Sequence, residues 1–275
     1  MKKQIPAVKG TKDILPREAR TWQGVETVVK RVCELYGYRE IRAPIFEATE
    51  LFEKGTGETS DIVIKEMYTF KDKGGRSLTL RPEYTPSVVR SIIENRLYLK
   101  PDPLRFYFMG PMFRYDKPQK GRFRQFHQLD VEVFAEKDPA VDAELVEMAD
   151  FLLKELKVSE IQTLVNSVGC KACRPAYITK LRTHAQKAKQ ELCDDCKRKV
   201  LTNPLRIFDC KLETCQAIAQ DFPKITDILC KECEEHFKQF CSYLEFYGLE
   251  YRIEPQLVRG IDYYTKTTFE IISSK

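Results

Sequence analysis

The stretch "FRYDKPQKGRFRQFHQLDVEVF", residues 113–134, decides how the rest of the chain is read. Its first twelve positions carry five basic residues, Arg114, Lys117, Lys120, Arg122 and Arg124, around a tip containing Pro and Gly. It then settles into an alternation that sets Gln128, Asp130 and Glu132 two residues apart. With the aromatic run "PLRFYFMGPMFRY" before it, this pattern predicts a β-hairpin with a long basic loop. Side chains alternate between the faces of a strand. Phe123, Gln125, His127, Leu129, Val131 and Val133 therefore share one face, and Arg122, Arg124, Phe126, Gln128, Asp130 and Glu132 the other. The first face suits packing under a helix layer, so His127 is not a candidate catalytic base. The second is a row of acceptors, about 13 Å from Gln128 to Glu132 at about 3.3 Å per residue, with arginines toward its tip. Such a row suits a ligand with an anionic end, held bidentately by guanidinium, and a donor-rich end. Taken alone, it reads more simply as a strand that is polar because it is wet.

Outward from the hairpin, the apolar positions Trp22, Val25, Val28, Val29, Val32 and Leu35 predict a helix over 16–36, stopped by Gly37. "YREIRAPIF" reads as a strand interrupted at Pro44. "MYTFKDKGGRSLTLRPE" reads as two strands around a Gly-Gly turn, and "TPSVVRSIIENRL" as a short helix with Pro86 in its first turn. "DPAVDAELVEMADFLLKELKV" is a helix with Asp138 as N-cap and Pro139 at its first position, and "IQTLVNSVG" returns to strand. Residues 170–246 are cysteine-rich, basic and mainly helical, and His184 and His236 fall there as ordinary helix positions. Strand composition resumes in "LEYRIEPQLVRGIDYYTKTTFEIISSK". The expected class is α+β: a mixed, mostly antiparallel sheet flanked by helices over 1–168 and 248–275, interrupted by an inserted helical module over 169–247.

Within 275 residues, 43% hydrophobic and 32% charged, there is ample material for a large single core or for two domains. No apolar run approaches the roughly 20 residues of a membrane span, and no apolar segment follows the N-terminal lysines. A cytoplasmic protein without a membrane partner is expected. The net charge of +5 is modest, so its distribution matters more. Residues 100–124 hold seven Lys/Arg against two acids, and residues 171–199 nine against three, which points to a polyanionic partner. Nine of the ten cysteines lie between Cys170 and Cys241. Clustering of this kind in a reducing compartment favours a metal over disulfides.

The hairpin "FRYDKPQKGRFRQFHQ" resembles motif 2 of the class II aminoacyl-tRNA synthetases, in the form of the histidyl-tRNA synthetase family. "KGTKDILPRE" is similar to that family's N-terminal signature and "YGYREIRAPIFEATELF" to motif 1, including its proline, here Pro44. "LTLRPEYTPSVVR" resembles the amino-acid-binding segment, and "LVRGIDYYTKTTFE" the histidine-specific signature. The resemblance implies a class II fold and activation of histidine by ATP, with Mg2+, to histidyl-adenylate, followed by transfer to tRNA(His). It also implies a homodimer formed through the segment around Pro44. By motif, Arg114 would contact the α-phosphate and carboxylate, Arg122 would hold ATP, and Arg259 would stabilise charge on the α-phosphate. Glu83, Thr85 and Gln128 would bind the α-amino group. Glu132 and Tyr264 would bind the imidazole nitrogens, with Tyr263 beside them. Many relatives have Gly between Glu83 and Thr85, where Tyr84 would tighten the pocket floor. The family pattern continues past Lys275 with a Gly-rich stretch, motif 3 and an anticodon-binding domain, so an incomplete piece with impaired activity is expected. Two competing readings are a non-catalytic synthetase-like regulatory subunit of histidine biosynthesis and an inactive tRNA-binding fragment. Retention of Glu83, Arg114, Gln128, Glu132, Arg259 and Tyr264 argues against the former.

The module over 169–247 corresponds to a family insertion thought to approach the tRNA acceptor arm, which its basic residues suit. Its cysteines come in pairs: Cys170/Cys173, Cys193/Cys196, Cys210/Cys215 and Cys230/Cys233. Three pairs have CxxC spacing, and eight thiolates suit two tetrahedral zinc sites. Family membership does not imply zinc, and reduced, partly buried thiols are the alternative. Cys33 and Cys241 lie at core-type helix positions.

Overall fold

The computed structural model describes residues 5–57, 62–117, 119, 121–258 and 264–273. The chain divides into two compact units, Met1–Glu136 and Lys137–Lys275. In the first, α1 (Pro16–Leu35) is followed by β1 (Arg39–Glu40), β2 (Phe46–Ala48), α2 (Thr49–Thr56), β3 (Tyr68–Lys71), β4 (Ser77–Leu80), α3 (Thr85–Glu94), β5 (Arg105–Phe113) and β6 (Gln125–Val133).

Helix α1 starts with Pro16 in its first turn, where a missing N–H costs nothing. It ends in a Schellman motif: Gly37, at φ +78°, donates to Glu34 O, and Tyr38 N–H donates to Cys33 O. Val29, Val32 and Cys33 are buried, whereas Leu35, last in the apolar stripe, lies largely exposed. Trp22 packs on His127 of β6 with ring centroids 4.5 Å apart, so α1 covers the strand face that alternation assigned to a helix layer.

The hairpin forms as expected, with β5 and β6 antiparallel from Arg105↔Val133 to Phe113↔Gln125. Strand β1 adds in parallel to β5. After Glu40 the chain leaves this sheet. Pro44 has no N–H to give a ladder, and the backbone around it is taken up by side chains instead. Ala43 N–H donates to Tyr84 Oη (2.5 Å), and the carbonyls of Ala43 and Pro44 accept from Arg81 Nη1 at 3.0 and 3.3 Å. "YREIRAPIF" is therefore two strands in two sheets, since β2 joins an antiparallel sheet of order β2-β4-β3. The Gly-Gly turn between β3 and β4 closes on Asp72, whose Oδ1 accepts from the backbone of Gly74 and Arg76. The core joins Tyr84, just before α3, and Val88 and Ile92 along it to Phe106, Phe108 and Met112 of β5.

In the second unit, α4 (Pro139–Glu155) is capped by Asp138, which accepts from Ala140 N–H at 2.9 Å. Then come β7 (Ile161–Gly169), α5 (Arg174–Lys187), α6 (Asp194–Thr202), α7 (Glu213–Gln220), α8 (Lys231–Phe246), β8 (Tyr251–Ile253) and β9 (Lys266–Ser273). Strand β7 is buried from Thr163 to Gly169 between parallel β8 and antiparallel β9. Helices α4 and α8 cover it through Ala143, Val146, Phe237, Phe240 and Leu244, against Val165. Helices α5–α7 build a separate core around Tyr177, Leu181, Val200, Ile207 and Phe222. The cysteine-rich stretch thus lies, in sequence, between strands of one sheet. One mostly antiparallel sheet was expected; the described residues form three three-stranded sheets, two of them with a parallel pair. The strand break at Pro44 accounts for the separation of the first two. No helix among the described residues is long and apolar enough to cross a membrane.

Candidate active site

The hairpin register sets Gly110 opposite Gln128, Phe108 opposite Asp130 and Phe106 opposite Glu132, so the acceptor row shares its face with buried aromatic rings. That face is half-buried rather than the wet surface the strand alone suggested. The segment from Arg81 to α3 covers it and desolvates its carboxylates. Thr85 Oγ1 donates to Glu132 Oε1 at 2.5 Å, and Gln128 Nε2 donates to Asp130 Oδ1 at 2.7 Å. Buried Glu83 accepts from buried Thr56 Oγ1 at 2.5 Å. Asp130 Oδ2 is buried without a hydrogen-bond partner.

Electrostatics follow from this crowding. Burial pushes Glu132 up to about 7; the Thr85 hydrogen bond opposes the rise, and the Asp130 and Glu83 carboxylates add to it. Burial likewise pushes Asp130 up to about 6, opposed by the Gln128 hydrogen bond and by Arg114 and Arg81, and reinforced by Glu83. Two carboxyl groups pushed above their ordinary range, with the Glu83 carboxylate adding to the rise, make a receptor for a cation or a multiple N–H donor.

Beneath them lies a rigid support. Tyr84 is fully buried, its ring stacked on Phe108 with centroids 3.6 Å apart, and its hydroxyl donates to Ile41 O at 3.0 Å while accepting from Ala43 N–H. Arg81 sits 4.5 Å over the Phe108 ring, and its Nε donates to Pro111 O at 2.9 Å. A Cβ at Gly110 would stand 2.4 Å from Phe108 Cζ, so the ring occupies the space a larger residue needs.

Toward the tip, Arg114 Nε donates to Pro82 O at 2.8 Å and the guanidinium lies 5.3 Å over Phe126. Arg122 forms a half-exposed ion pair with Asp116 at 2.9 Å. Arg124 stacks 4.0 Å over Tyr115, and its N–H donates to Gly10 O at 2.7 Å. Gly10, at φ +87°, leaves room for the Arg124 side chain, which an added Cβ would meet at 2.7 Å. The N-terminal "KGTKD" segment thus fastens to the hairpin.

Of the residues singled out from the sequence, Glu83, Thr85, Gln128 and Glu132 come together on one covered face, with Arg114 toward the tip. Tyr84 lies beneath, turned into the core. Tyr264 belongs to the second unit, where its carbonyl accepts from Arg174 Nη2. Arg259 and Tyr263 lie outside the described residues. Three participants were not foreseen. Asp130 stood in the alternation but was given no role, Arg81 stood in "RPEYT" unremarked, and Thr56 carried no sequence signal. A cavity of about 680 Å3 opens between α1 and β5, lined by Gln23, Glu26, Tyr107 and His127 and reaching Arg81 and Phe108.

The eight paired cysteines gather into two groups, Cys170/Cys173/Cys230/Cys233 and Cys193/Cys196/Cys210/Cys215, each with its sulfurs within 4.8 Å of one another. Either group can hold a metal ion.

A family model described as histidyl-tRNA synthetase matches residues 10–275. The chain is 51% identical to the histidine–tRNA ligase of Halothermothrix orenii over 97% of its own length, and 52% identical to that of Desulfitobacterium hafniense over 98%. These matches cover 64% and 63% of those proteins, so the chain spans under two thirds of the curated relatives it matches. Among solved structures, apo S. aureus histidyl-tRNA synthetase superposes with a TM-score of 0.76 at 39% identity, covering 98% of this chain and 61% of that one. An ATP phosphoribosyltransferase regulatory subunit/histidyl-tRNA synthetase from Bacillus halodurans gives 0.71 at 20% identity, covering 99% and 74%, a likeness of fold alone.

Proposed function

The chain belongs to the histidyl-tRNA synthetase family, and we propose that it carries the histidine-recognising part of a cytoplasmic histidine–tRNA ligase. In the activation step a carboxylate oxygen of histidine attacks the α-phosphorus of Mg2+-bound ATP and pyrophosphate leaves. In the transfer step a hydroxyl of the tRNA(His) terminal ribose displaces AMP from the acyl carbon. No protein nucleophile is needed, so the work is positioning and charge neutralisation.

One observation carries the reading: Glu83, Asp130 and Glu132 crowd a single desolvated face. Histidine supplies what such a face lacks, an ammonium and a ring N–H. In this reading Glu83, Thr85 and Gln128 take the ammonium. Glu132 and Tyr264 take the ring nitrogens, with Tyr263 adjacent and Tyr84 as floor. Arg114 meets the carboxylate and α-phosphate, Arg122 the rest of ATP, and Arg259 the α-phosphate. The catalytic core would comprise 1–168 and 248–275, with 169–247 inserted toward the tRNA acceptor arm, and the segment around Pro44 would pair two copies of the chain. Zinc, in the cysteine-rich segment, would be structural and take no part in activation.

Titration calorimetry with histidine tests the proposal, alongside ATP–pyrophosphate exchange. Glu132→Ala should weaken histidine binding by about 1–3 kcal/mol through loss of a charged acceptor. Unchanged affinity would show that the ligand lies elsewhere. A regulatory paralogue would bind histidine without supporting exchange in the full-length protein.

A further inference from the structure

We propose that the cysteine-rich segment binds two zinc ions in nested order, an outer Cys170/Cys173/Cys230/Cys233 site at its neck and an inner Cys193/Cys196/Cys210/Cys215 site in its core. The inference rests on the zinc reading above, not on the histidine reading. Sequence leaves open how four pairs combine; the fold decides it. The first pair follows the end of β7 and the last pair opens α8, so residues 60 apart meet. The two middle pairs meet inside the core of α5–α7, where Cys196, Cys210 and Cys215 are buried beside Val200 and Ile207.

The spacing fits tetrahedral thiolate coordination. Zn–S bonds of about 2.3 Å place sulfurs about 3.8 Å apart. Cys170 Sγ lies 3.8 Å from Cys173 Sγ and 3.7 Å from Cys230 Sγ, Cys173 Sγ lies 4.0 Å from Cys233 Sγ, and Cys193 Sγ lies 4.0 Å from Cys210 Sγ. All ten cysteines are free thiols. Backbone donors are already turned toward the sulfurs. At the neck, Cys170 N–H donates to Cys173 Sγ at 3.2 Å and Ala172 N–H to Cys170 Sγ at 3.3 Å. In the core, Cys193 N–H donates to Cys215 Sγ at 3.3 Å and Cys196 N–H to Cys193 Sγ at 3.4 Å. Such bonds spread the charge that four thiolates bring to a divalent ion. Each site also has a basic neighbour: Lys266 interacts electrostatically with Cys170 and Cys233, and Lys199 with Cys196 and Cys210.

The two sites differ mechanically. The outer one closes a long loop and fastens the start of α5 to the start of α8. The inner one staples the core of α5–α7 from within, among Tyr177, Leu181, Val200 and Ile207. Gly169 borders the outer site. At φ +65° it carries no Cβ, and one placed there would stand 2.9 Å from Cys173 Sγ.

Elemental analysis and native mass spectrometry of the whole chain test the pairing. Two zinc per chain are expected, one for each group. Cys170→Ser with Cys233→Ser removes two ligands from one site and should leave one zinc. Cys170→Ser with Cys196→Ser removes a ligand from each and should leave none. The opposite pattern would overturn the nested order, and less than about 0.2 zinc per chain would overturn zinc binding altogether. Should the variants fail to fold, cobalt titration of the wild-type chain tests the two-site count on which the nested order depends. Two equivalents with tetrahedral d–d bands and thiolate charge transfer support the proposal, and a single equivalent refutes it. Iron in place of zinc would refute the choice of metal. None of these outcomes depends on pyrophosphate exchange, so a failure here leaves the synthetase reading untouched.

Discussion

Glu132→Gln is expected to stabilise the unliganded chain at pH 8 while weakening it as a receptor. Burial raises the Glu132 carboxyl from 4.5 to about 7, with Asp130 and Glu83 adding to the rise against the Thr85 hydrogen bond. A group raised in the folded state contributes stability while it keeps its proton. That contribution is complete below pH 4.5 and is lost as pH rises through about 7. Across that window the displacement corresponds to about 3 kcal/mol. Glutamine keeps an acceptor for Thr85 and never ionises. The two chains should therefore differ by no more than about 1 kcal/mol at pH 5, and the variant should be the more stable at pH 8 by about 1–3 kcal/mol once local relaxation is allowed for. Trp22, the chain's one tryptophan, packs on His127 in the same unit and reports its unfolding by fluorescence. Asp130 is itself raised to about 6, so each pH comparison is taken as a difference between the two chains in urea. A variant no more stable than wild type at pH 8, or a gap of equal size at both pH values, would refute the reasoning.

Tyr84→Phe removes a hydroxyl that serves both Ile41 O and Ala43 N–H, and should cost about 1–3 kcal/mol in urea unfolding with the Phe108 stack retained. Gly110→Ala forces a methyl against the Phe108 ring and should cost about 1–3 kcal/mol on the same assay; wild-type stability would mean the ring can swing away. Arg81→Lys cannot reach Pro111 O and the Ala43 and Pro44 carbonyls together, and should lower the urea midpoint, whereas Arg122→Lys at its half-exposed ion pair should not. Gly169→Ala should lower zinc content by about one ion per chain in elemental analysis, leaving the inner site filled.

Local features were the most legible in the sequence. Alternation placed His127 on the helix-covered face, and capping residues marked the start of α4 and the end of α1. Two things were not legible. One is how much of the acceptor face is dry, because polarity along a strand does not reveal what covers it. Here the cover is Thr85 and α3, from a segment some forty residues upstream. The other is Arg81. An arginine in a polar run gives no sign that its donors go to three backbone carbonyls around a strand broken by proline. The cysteine pairs showed their chemistry through spacing, yet their partners depended on β7 and α8 meeting across 60 residues.

The unliganded carboxylate face works against its own fold. Asp130 Oδ2 is buried without a partner, and two carboxyl groups are held far above their ordinary range. Each ionisation there subtracts from stability near neutral pH, so the geometry has to be held by something else. The Tyr84–Phe108 stack, clamped by Arg81, is that support, and its hydrogen bonds run to backbone rather than to the acceptors above. A cationic ligand would relieve the upper layer without disturbing the lower one. Ligand binding should accordingly restore the stability lost on ionisation, and the gain should be larger at pH 8 than at pH 5. It should also shrink in Glu132→Gln, which has less repulsion to relieve. A stabilisation by histidine that is equal in both chains would mean that the charge of Glu132 is not what the ligand answers.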